Sequence, residues 1–150
     1  MADTVSKSQR SNNMSAIRSI DTKPEVYVRK KLHSFGLRYR KYSSKLCGRP
    51  DLFFAKYNTA VFVNGCFWHR HEGCKFAYIP KSNINFWMEK FSQTIERDQV
   101  VHKELFCQNV KCLIIWECTI KRMMKDPSYE NQIILNVLSF LRNGDAYLEI

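Results

Sequence analysis

Apolar residues recur at helical spacing in three parts of the chain and predict three helices. The first begins with Thr22 as its N-cap, has Glu25 three residues later as in a capping box, and ends at Gly36. Its apolar face is formed by Val28, Leu32 and Phe35. A long amphipathic helix is predicted over residues 86–106, and a last helix over residues 129–141.

Shorter apolar runs predict four strands. These runs are residues 37–40, 51–54, 60–63 and 111–116, with a turn near residues 57–58. The resulting order is helix, three strands, helix, strand, helix. This order is typical of an α/β domain with a central mixed β-sheet flanked by helices.

Length and composition indicate one domain. At 150 residues the chain can bury a single core, and its sequence has no repeat, low-complexity tract or linker. We therefore expect residues 1–150 to form one domain, in which a polar arm of residues 1–21 precedes a core of residues 22–150. The arm contains one short periodic piece around Met14 and Ile17.

The sequence also predicts the compartment. No apolar run approaches the length of a membrane span, and the first ten residues, MADTVSKSQR, lack the apolar stretch of a signal peptide. We expect no membrane partner and a cytoplasmic location, where the six cysteines stay reduced. Cysteines that lie near histidines in such a protein suggest a bound metal rather than disulfides.

The net charge of +10 is concentrated in the first third of the chain. Residues 1–50 carry 12 Lys and Arg against 3 Asp and Glu, whereas residues 51–150 carry 12 against 11. A solvated surface accounts for positive charge, but it does not account for this segregation. The distribution therefore favours a polyanionic partner, and we expect that partner to be nucleic acid.

The segment NGCFWHRHEGC at residues 64–74 follows a predicted strand and is rich in metal-binding residue types. Cys66, His71 and Cys74 have the spacing C-x4-H-x2-C, and Cys118 follows a later strand. If the two strands are neighbours, Cys118 can complete a tetrahedral Cys3His set, which is a common structural Zn²⁺ site. The spacing leaves His69 as an alternative ligand, and it leaves open that the cysteines are small buried residues. The remaining cysteines are expected to be core or surface thiols: Cys47, Cys107 and Cys112.

A second group of residues surrounds the motif GRPD at residues 48–51. Asp51 begins a predicted apolar strand, so its carboxylate is expected at the edge of the sheet. Metal-dependent nucleases use such a hard oxygen ligand for Mg²⁺. Pro-Asp is also common in turns, so the pair alone is weak evidence. The next strand ends at residues 63–64, and we expect it to bring a backbone carbonyl and His69 alongside Asp51.

Together these motifs resemble those of the very short patch repair (Vsr) endonucleases. The matching segments follow in family order over residues 8–120: RSNNMSAI at 10–17, Glu25, GRPD at 48–51, VFVNGCFWHRHEGC at 61–74, FWMEK at 86–90, ERD at 96–98 and IIWEC at 114–118. The resemblance implies a restriction-endonuclease-like α/β fold with a structural zinc. It also implies a Mg²⁺-dependent enzyme that nicks DNA on the 5′ side of the thymine in a T·G mismatch, which begins the repair of deaminated 5-methylcytosine.

The resemblance further implies catalytic roles for five residues. Asp51 and the backbone carbonyl of Val63 would bind Mg²⁺, and His69 would be the general base or orient the water. Glu25 would hold metal-bound water, and Asp98 would support the site. From the residues alone, Glu25 is a structural helix-capping residue, and Asp98 is equally an exposed helical acid.

The resemblance also implies the zinc ligands, which are Cys66, His71, Cys74 and Cys118. Phe67 and Trp68 would form an aromatic wedge that enters the DNA stack beside the mismatch, with Met14 as their partner. Residues 1–21 would then be a DNA-contacting arm and residues 22–150 the catalytic core. From the residues alone, Met14 is more often a packing residue. The two aromatics are neighbours in a loop, so both cannot easily face the core.

Asn64 is a departure from the family pattern, because some members have a histidine just before the Gly-Cys pair. An asparagine can bind a phosphate or a water molecule, but it cannot titrate near neutral pH. We therefore expect His69 to carry any proton transfer alone.

The implied partners are double-stranded DNA with a T·G mismatch and other mismatch-repair proteins, and the implied location is the nucleoid of a bacterial cytoplasm. Two rival functions fit the same residues. One is a related nicking or restriction endonuclease with a different DNA target. The other is a non-catalytic, zinc-stabilised DNA-binding module.

Overall fold

The computed structural model describes residues 5–15 and 20–150. The helices are α1 (Lys7–Ser15), α2 (Lys23–Ser34), α3 (Ile84–Cys107), α4 (Glu117–Met123) and α5 (Pro127–Arg142). The strands are β1 (Arg40–Lys41), β2 (Leu52–Phe54), β3 (Thr59–Asn64), β4 (Lys111–Trp116) and β5 (Tyr147–Glu149), and a 3-10 helix, Ala55–Tyr57, joins β2 to β3. No helix in these described ranges is long and apolar enough to cross a membrane.

The five strands form one mixed sheet in the order β1-β2-β3-β4-β5. The pairs β1–β2 and β2–β3 are antiparallel, whereas β3–β4 and β4–β5 are parallel. Val63 pairs with Ile115 and Asn64 pairs with Trp116, so β3 and β4 end side by side. Because β3 and β4 are neighbours, Cys118 after β4 can lie beside the residues that follow β3.

Helices cover both faces of the sheet. Residues of a strand alternate between the two faces, so one strand contributes side chains to both. On β4, Leu113 and Ile115 pack in one buried cluster with residues of α2, α4 and α5. Cys112 and Ile114 pack in a second cluster with residues of α3. The predicted α/β domain with a central mixed sheet flanked by helices is therefore confirmed.

Local signals place several elements close to their predicted bounds. Thr22 Oγ1 accepts a hydrogen bond from Glu25 N at 3.4 Å, and Gly36 follows α2 with a φ of +84°. A β-carbon disfavours that left-handed conformation, so glycine suits the position. Strand β4 has its predicted bounds, and α3 and α5 extend the predicted helices by one or two residues at each end.

Other elements differ from the prediction. The strand predicted at residues 37–40 is the two-residue β1 at Arg40–Lys41, because Leu37 is buried in the core beneath the end of α2. The short helix α4 and the edge strand β5 were missed. Strand β5 is only three residues long and mostly exposed, which is too short for a hydrophobic pattern to identify it. In the arm, Ile17 lies outside the described residues.

Candidate active site and metal centre

Asp51 and Val63 meet at one end of the sheet. The antiparallel register of β2 and β3 pairs Leu52 with Val61, which brings the residue before β2 next to the end of β3. Asp51 Oδ2 accepts a hydrogen bond from Val63 N at 2.7 Å. The structure thus brings together the carboxylate and the main-chain segment that the sequence proposed for one Mg²⁺ site.

The environment of Asp51 disfavours its negative charge. Burial is the main cause that raises the pKa of Asp51 to about 7. The hydrogen bond from Val63 acts against this rise, the charge of Glu25 adds to it, and His69 lowers it. Glu25 and His69 therefore lie within electrostatic reach of Asp51. A divalent cation beside these carboxylates would relieve both the desolvation and the repulsion between them.

Glu25 is buried in the first turn of α2. Its Oε2 accepts a hydrogen bond from the Tyr42 hydroxyl at 2.8 Å, and the same hydroxyl accepts one from Asp21 N at 2.8 Å. Arg29 forms an ion pair with Asp21 at 2.6 Å and lies 3.4 Å from the Tyr42 hydroxyl. Tyr42 therefore connects Glu25 to this ion pair, a link that the sequence analysis missed.

His69 lies in the loop after β3 and contacts Asp98 on α3. His69 Nδ1 is 2.6 Å from Asp98 Oδ2, and about a quarter of each side chain is exposed. A hydrogen bond from Nδ1–H to this carboxylate leaves Nε2 as the ring's acceptor. Asp98 is therefore a paired acid, and its contact fixes the orientation of the His69 ring.

A cavity of about 220 Å³ opens beside this pair. Asn64, which is 6% exposed, lines it together with His69, Asp98 and His102. Burial lowers the pKa of His102 below its ordinary value, which favours the neutral imidazole. Glu149 of β5 also lines the cavity, and its carboxylate accepts hydrogen bonds from Trp116 Nε1 at 2.7 Å and from the Tyr147 hydroxyl at 2.8 Å. The sequence analysis missed both His102 and Glu149 here.

We predict that Asp98→Asn lowers the rate of DNA cleavage by about 10- to 100-fold. General base catalysis contributes about 10²–10⁴-fold, and the variant loses the carboxylate that orients the His69 ring. Single-turnover cleavage assays measure the effect, with Glu96→Gln on the exposed face of the same helix as the control. Equal rates for both variants would show that Asp98 has no part in the reaction.

The four residues predicted as zinc ligands lie together. One ligand atom from each of Cys66, His71, Cys74 and Cys118 lies within 4.8 Å of the other three. His71 Nδ1 is 3.4 Å from the sulfur of Cys118 and 3.6 Å from that of Cys66. The His71 ring stacks on Trp116 with a centroid distance of 4.2 Å. His71 therefore belongs to this cluster, whereas His69 faces Asp98.

The chemistry of this donor set fits a metal ion. Burial raises the pKa of the Cys66 thiol, so a nearby cation would be needed to favour its thiolate. Three thiols and one imidazole at these separations are the Cys3His donor set that tetrahedral Zn²⁺ takes in structural sites. Cys66, His71 and Cys74 come from the loop after β3, and Cys118 comes from the first turn of α4. A bound metal would therefore tie that loop to the body of the domain.

Phe67 and Trp68 belong to an aromatic cluster. Both are half-buried, and their rings lie 5.3 Å and 5.8 Å from that of Trp87 on α3. The cluster comprises Phe67, Trp68, Tyr78, Phe86, Trp87 and Phe91. Tyr78 and Phe86 are 62% and 60% exposed, so the cluster reaches the surface. This contact of Trp87 with the loop was not predicted, although the Phe-Trp pairs at 67–68 and 86–87 share one residue pattern.

Met14 lies on α1, a helix in which no residue is buried. Its side chain is 40% exposed. Arg10 on the same helix donates a hydrogen bond to Ser82 Oγ at 3.3 Å, which places α1 beside the segment before α3. Residues 1–4 and 16–19 of the predicted arm lie outside the described residues.

Comparison with known proteins connects this geometry to one family. Residues 2–75 match the family model of the DNA mismatch endonuclease Vsr. The type II nicking enzyme V.NmeAIP of Neisseria meningitidis is 46% identical over 121 residues, which are 81% of this chain and 86% of that protein. The type II nicking enzyme V.XorIIP of Xanthomonas oryzae is 37% identical over 120 residues, which are 80% of this chain and 88% of that protein. The DNA mismatch endonuclease Vsr of Escherichia coli is 37% identical over 121 residues, which are 81% of this chain and 77% of that protein.

Proposed function

Because this chain belongs to the Vsr family and is a DNA endonuclease, we propose that it nicks one strand of DNA at T·G mismatches with the help of Mg²⁺. The nick falls on the 5′ side of the thymine and begins the repair of deaminated 5-methylcytosine. Its substrate places it at the chromosome in the bacterial cytoplasm, where other mismatch-repair proteins are its expected partners.

The observation that carries the proposal is the juxtaposition of Asp51, the end of β3 and the His69–Asp98 pair. Asp51 and the backbone carbonyl of Val63 would hold Mg²⁺, which when bound would supply a positive charge to polarise the phosphodiester and the attacking water. Glu25 orients water at this site. His69 accepts the proton of the attacking water at Nε2, while Asp98 holds the ring through Nδ1.

The Cys3His cluster supports a structural zinc as the second metal of the proposal. Zinc takes this donor set in closed sites that stabilise a fold, whereas Mg²⁺ takes oxygen ligands. The two metals would therefore bind separate residues without competing. We propose that the mixed sheet with Asp51 at its edge has a restriction-endonuclease-like fold.

Selectivity is proposed to come from the aromatic cluster. Phe67 and Trp68 enter the base stack beside the mismatch, and Met14 approaches from α1. Separating two base pairs costs a few kcal/mol per step. A mismatched pair separates at lower cost, so insertion favours T·G over matched DNA.

Cleavage of a panel of duplexes tests this function. Each duplex carries either a T·G mismatch or the matched pair in varied sequence context, with Mg²⁺ or with EDTA. We expect nicks only at T·G, only with Mg²⁺, and on the 5′ side of the thymine. Equal nicking of matched duplexes would identify a nicking or restriction enzyme with another target. Binding without any nick would identify a non-catalytic DNA-binding module.

We predict that Trp68→Ala reduces the preference for T·G over matched DNA by about 5- to 100-fold. Stacking of an aromatic side chain on a base contributes about 1–3 kcal/mol, whereas phosphate contacts do not depend on the mismatch. Binding titrations at several salt concentrations separate the two contributions. The salt dependence should stay that of wild type on matched DNA, and only the T·G preference should fall.

Phe106→Ala is the matched control for this substitution. Phe106 is an exposed aromatic on α3, about 28 Å along the helix from Trp87. Its variant should keep the full T·G preference. A Trp68→Ala variant with wild-type preference and a weaker salt dependence would show that Trp68 serves backbone binding.

A further inference from the structure

Arg70 lies between His69 and His71 and binds main-chain carbonyls near both ends of residues 66–74, the candidate metal loop. Its Nη1 donates to Phe67 O and to Tyr78 O, each at 3.1 Å, and its Nη2 donates to Ala77 O at 2.6 Å. Its own backbone is left-handed, with a φ of +55°. That conformation is uncommon for a residue with a β-carbon, so the contacts around Arg70 must over-determine it.

The guanidinium also packs on the aromatic cluster. Its central carbon lies 3.8 Å from the centroid of Phe91 and 5.7 Å from that of Phe67. In the described ranges of the chain, no carboxylate forms an ion pair with Arg70. The charge therefore serves to hold carbonyl groups and aromatic faces, and it does not neutralise an acid.

These contacts join the two ends of the metal loop to α3. Phe67 lies just after the ligand Cys66, whereas residues 77–78 lie just after Cys74. The rings of Phe67 and Tyr78, whose carbonyls Arg70 binds, are 5.2 Å apart. Phe91, which supports the guanidinium, is buried on α3. One side chain therefore fixes the position of Phe67 relative to both Tyr78 and the helix.

We propose that Arg70 is a positioning residue that holds Phe67 and Trp68 in the orientation required to enter the DNA stack at a mismatch. The inference rests on the proposed function, because it assigns Arg70 a part in the selectivity of that same site. A loop that is already ordered loses less conformational freedom when its side chains are inserted between bases. The metal ligands order residues 66–74, and Arg70 extends that order to the aromatic rings.

A lysine cannot replace this arrangement. The guanidinium is a planar fork that donates in several fixed directions and stacks flat on a ring, whereas an ammonium is a compact point charge on a flexible stem. Arg70→Lys keeps the positive charge but loses simultaneous bonding to three carbonyls. The substitution therefore changes the position of the loop while the charge at residue 70 stays the same.

The test measures base unstacking with 2-aminopurine placed beside the T·G mismatch, whose fluorescence rises when it leaves the stack. Wild type should raise the fluorescence on T·G DNA and not on matched DNA. Arg70→Lys should reduce both this response and the T·G preference by about tenfold, with unchanged affinity for matched DNA and unchanged metal content. Arg122→Lys is the control, since Arg122 stacks on Tyr129 at 3.9 Å and is not part of the aromatic cluster.

The outcomes separate this inference from the proposed function. A wild-type protein that gives no response on T·G DNA would refute base separation itself. A wild-type response that Arg70→Lys retains in full would refute the role of Arg70 alone. If Arg70→Lys loses its metal, and the response falls only in proportion to that loss, Arg70 serves the fold of the loop and the inference is overturned.

Discussion

Asp51→Asn is expected to abolish nicking, by at least about 1,000-fold, while the protein still folds and binds T·G DNA. A metal ion supplies several kcal/mol of transition-state stabilisation, and about 1.4 kcal/mol corresponds to a tenfold change in rate. The amide oxygen of Asn can still accept the hydrogen bond from Val63 N. The variant therefore loses the charge that binds Mg²⁺ without losing the contact between β2 and β3.

The same substitution should stabilise the metal-free protein at high pH. The pKa of Asp51 is about 7 in the folded chain, against an ordinary value of 3.8. Between these values the folded state holds a proton that the unfolded state has released, so the contribution of Asp51 to stability falls as the pH rises through this window. Above pH 7 the ionised carboxylate costs the metal-free fold on the order of 4 kcal/mol, at about 1.4 kcal/mol per pKa unit.

Two measurements test these expected effects on activity and on stability. Single-turnover nicking of T·G DNA should show no activity for Asp51→Asn. Urea unfolding without Mg²⁺, but with zinc retained, at pH 5 and pH 8 should show that wild type loses stability relative to the variant as the pH rises. Mg²⁺ should raise the stability of wild type at pH 8 and leave the variant unchanged.

Asp145→Asn is the matched control, because Asp145 is an exposed aspartate in the turn before β5. It should nick at the wild-type rate and show no change in the pH dependence of stability. Nicking by Asp51→Asn at a rate near that of wild type would mean that another group binds the catalytic metal.

Cys118→Ser is expected to cost several kcal/mol of folding free energy and to leave the protein partly unfolded at ambient temperature. Cys118 is the one residue of the Cys3His cluster that lies outside the loop after β3. Structural zinc contributes about 10–16 kcal/mol to the folding of zinc-finger peptides, whereas a whole domain has a net stability of only about 5–15 kcal/mol. Replacing Cys118, the proposed ligand that joins the loop to α4, should therefore lower the free energy of unfolding more than most single substitutions do.

Elemental analysis and urea unfolding measure this effect. Wild type should contain one zinc per chain, and the variant should contain less and unfold at lower urea concentration. Cys107→Ser is the control, since Cys107 is an exposed thiol at the end of α3. A Cys118→Ser variant that is fully folded and active without zinc would contradict the ligand set.

The fold could be predicted where its signals are local. The N-cap at Thr22 and the apolar run Lys111–Trp116 each act within a few residues, and both elements lie where the sequence places them. Strand β5 could not be found in this way. Its residues are mostly exposed, and its backbone hydrogen bonds to β4 decide its conformation.

The candidate site was predicted in its residue types but not in its connections. The motif NGCFWHRHEGC and the cysteine at 118 indicated the metal-binding residues, and spacing alone left two histidines open. The structure separates them, because His71 points at the sulfur atoms and His69 points at Asp98. Two residues that are two positions apart in a tight loop can face opposite sides, and the spacing of ligands does not record which side each one faces.

The sequence by itself determined the α/β class, the concentration of positive charge in the first third, and the kinds of donor atoms near the end of β3. Only the tertiary structure decided which of these donors meet. Asp98 reaches His69 across 29 residues, Tyr42 reaches Glu25 across 17, and Arg70 in the loop after β3 reaches Phe91 on α3. Contacts between different elements depend on strand register and on the path of the loops. Hydrophobic periodicity reports only which face of one element is buried, so it carries no information about register or loop path.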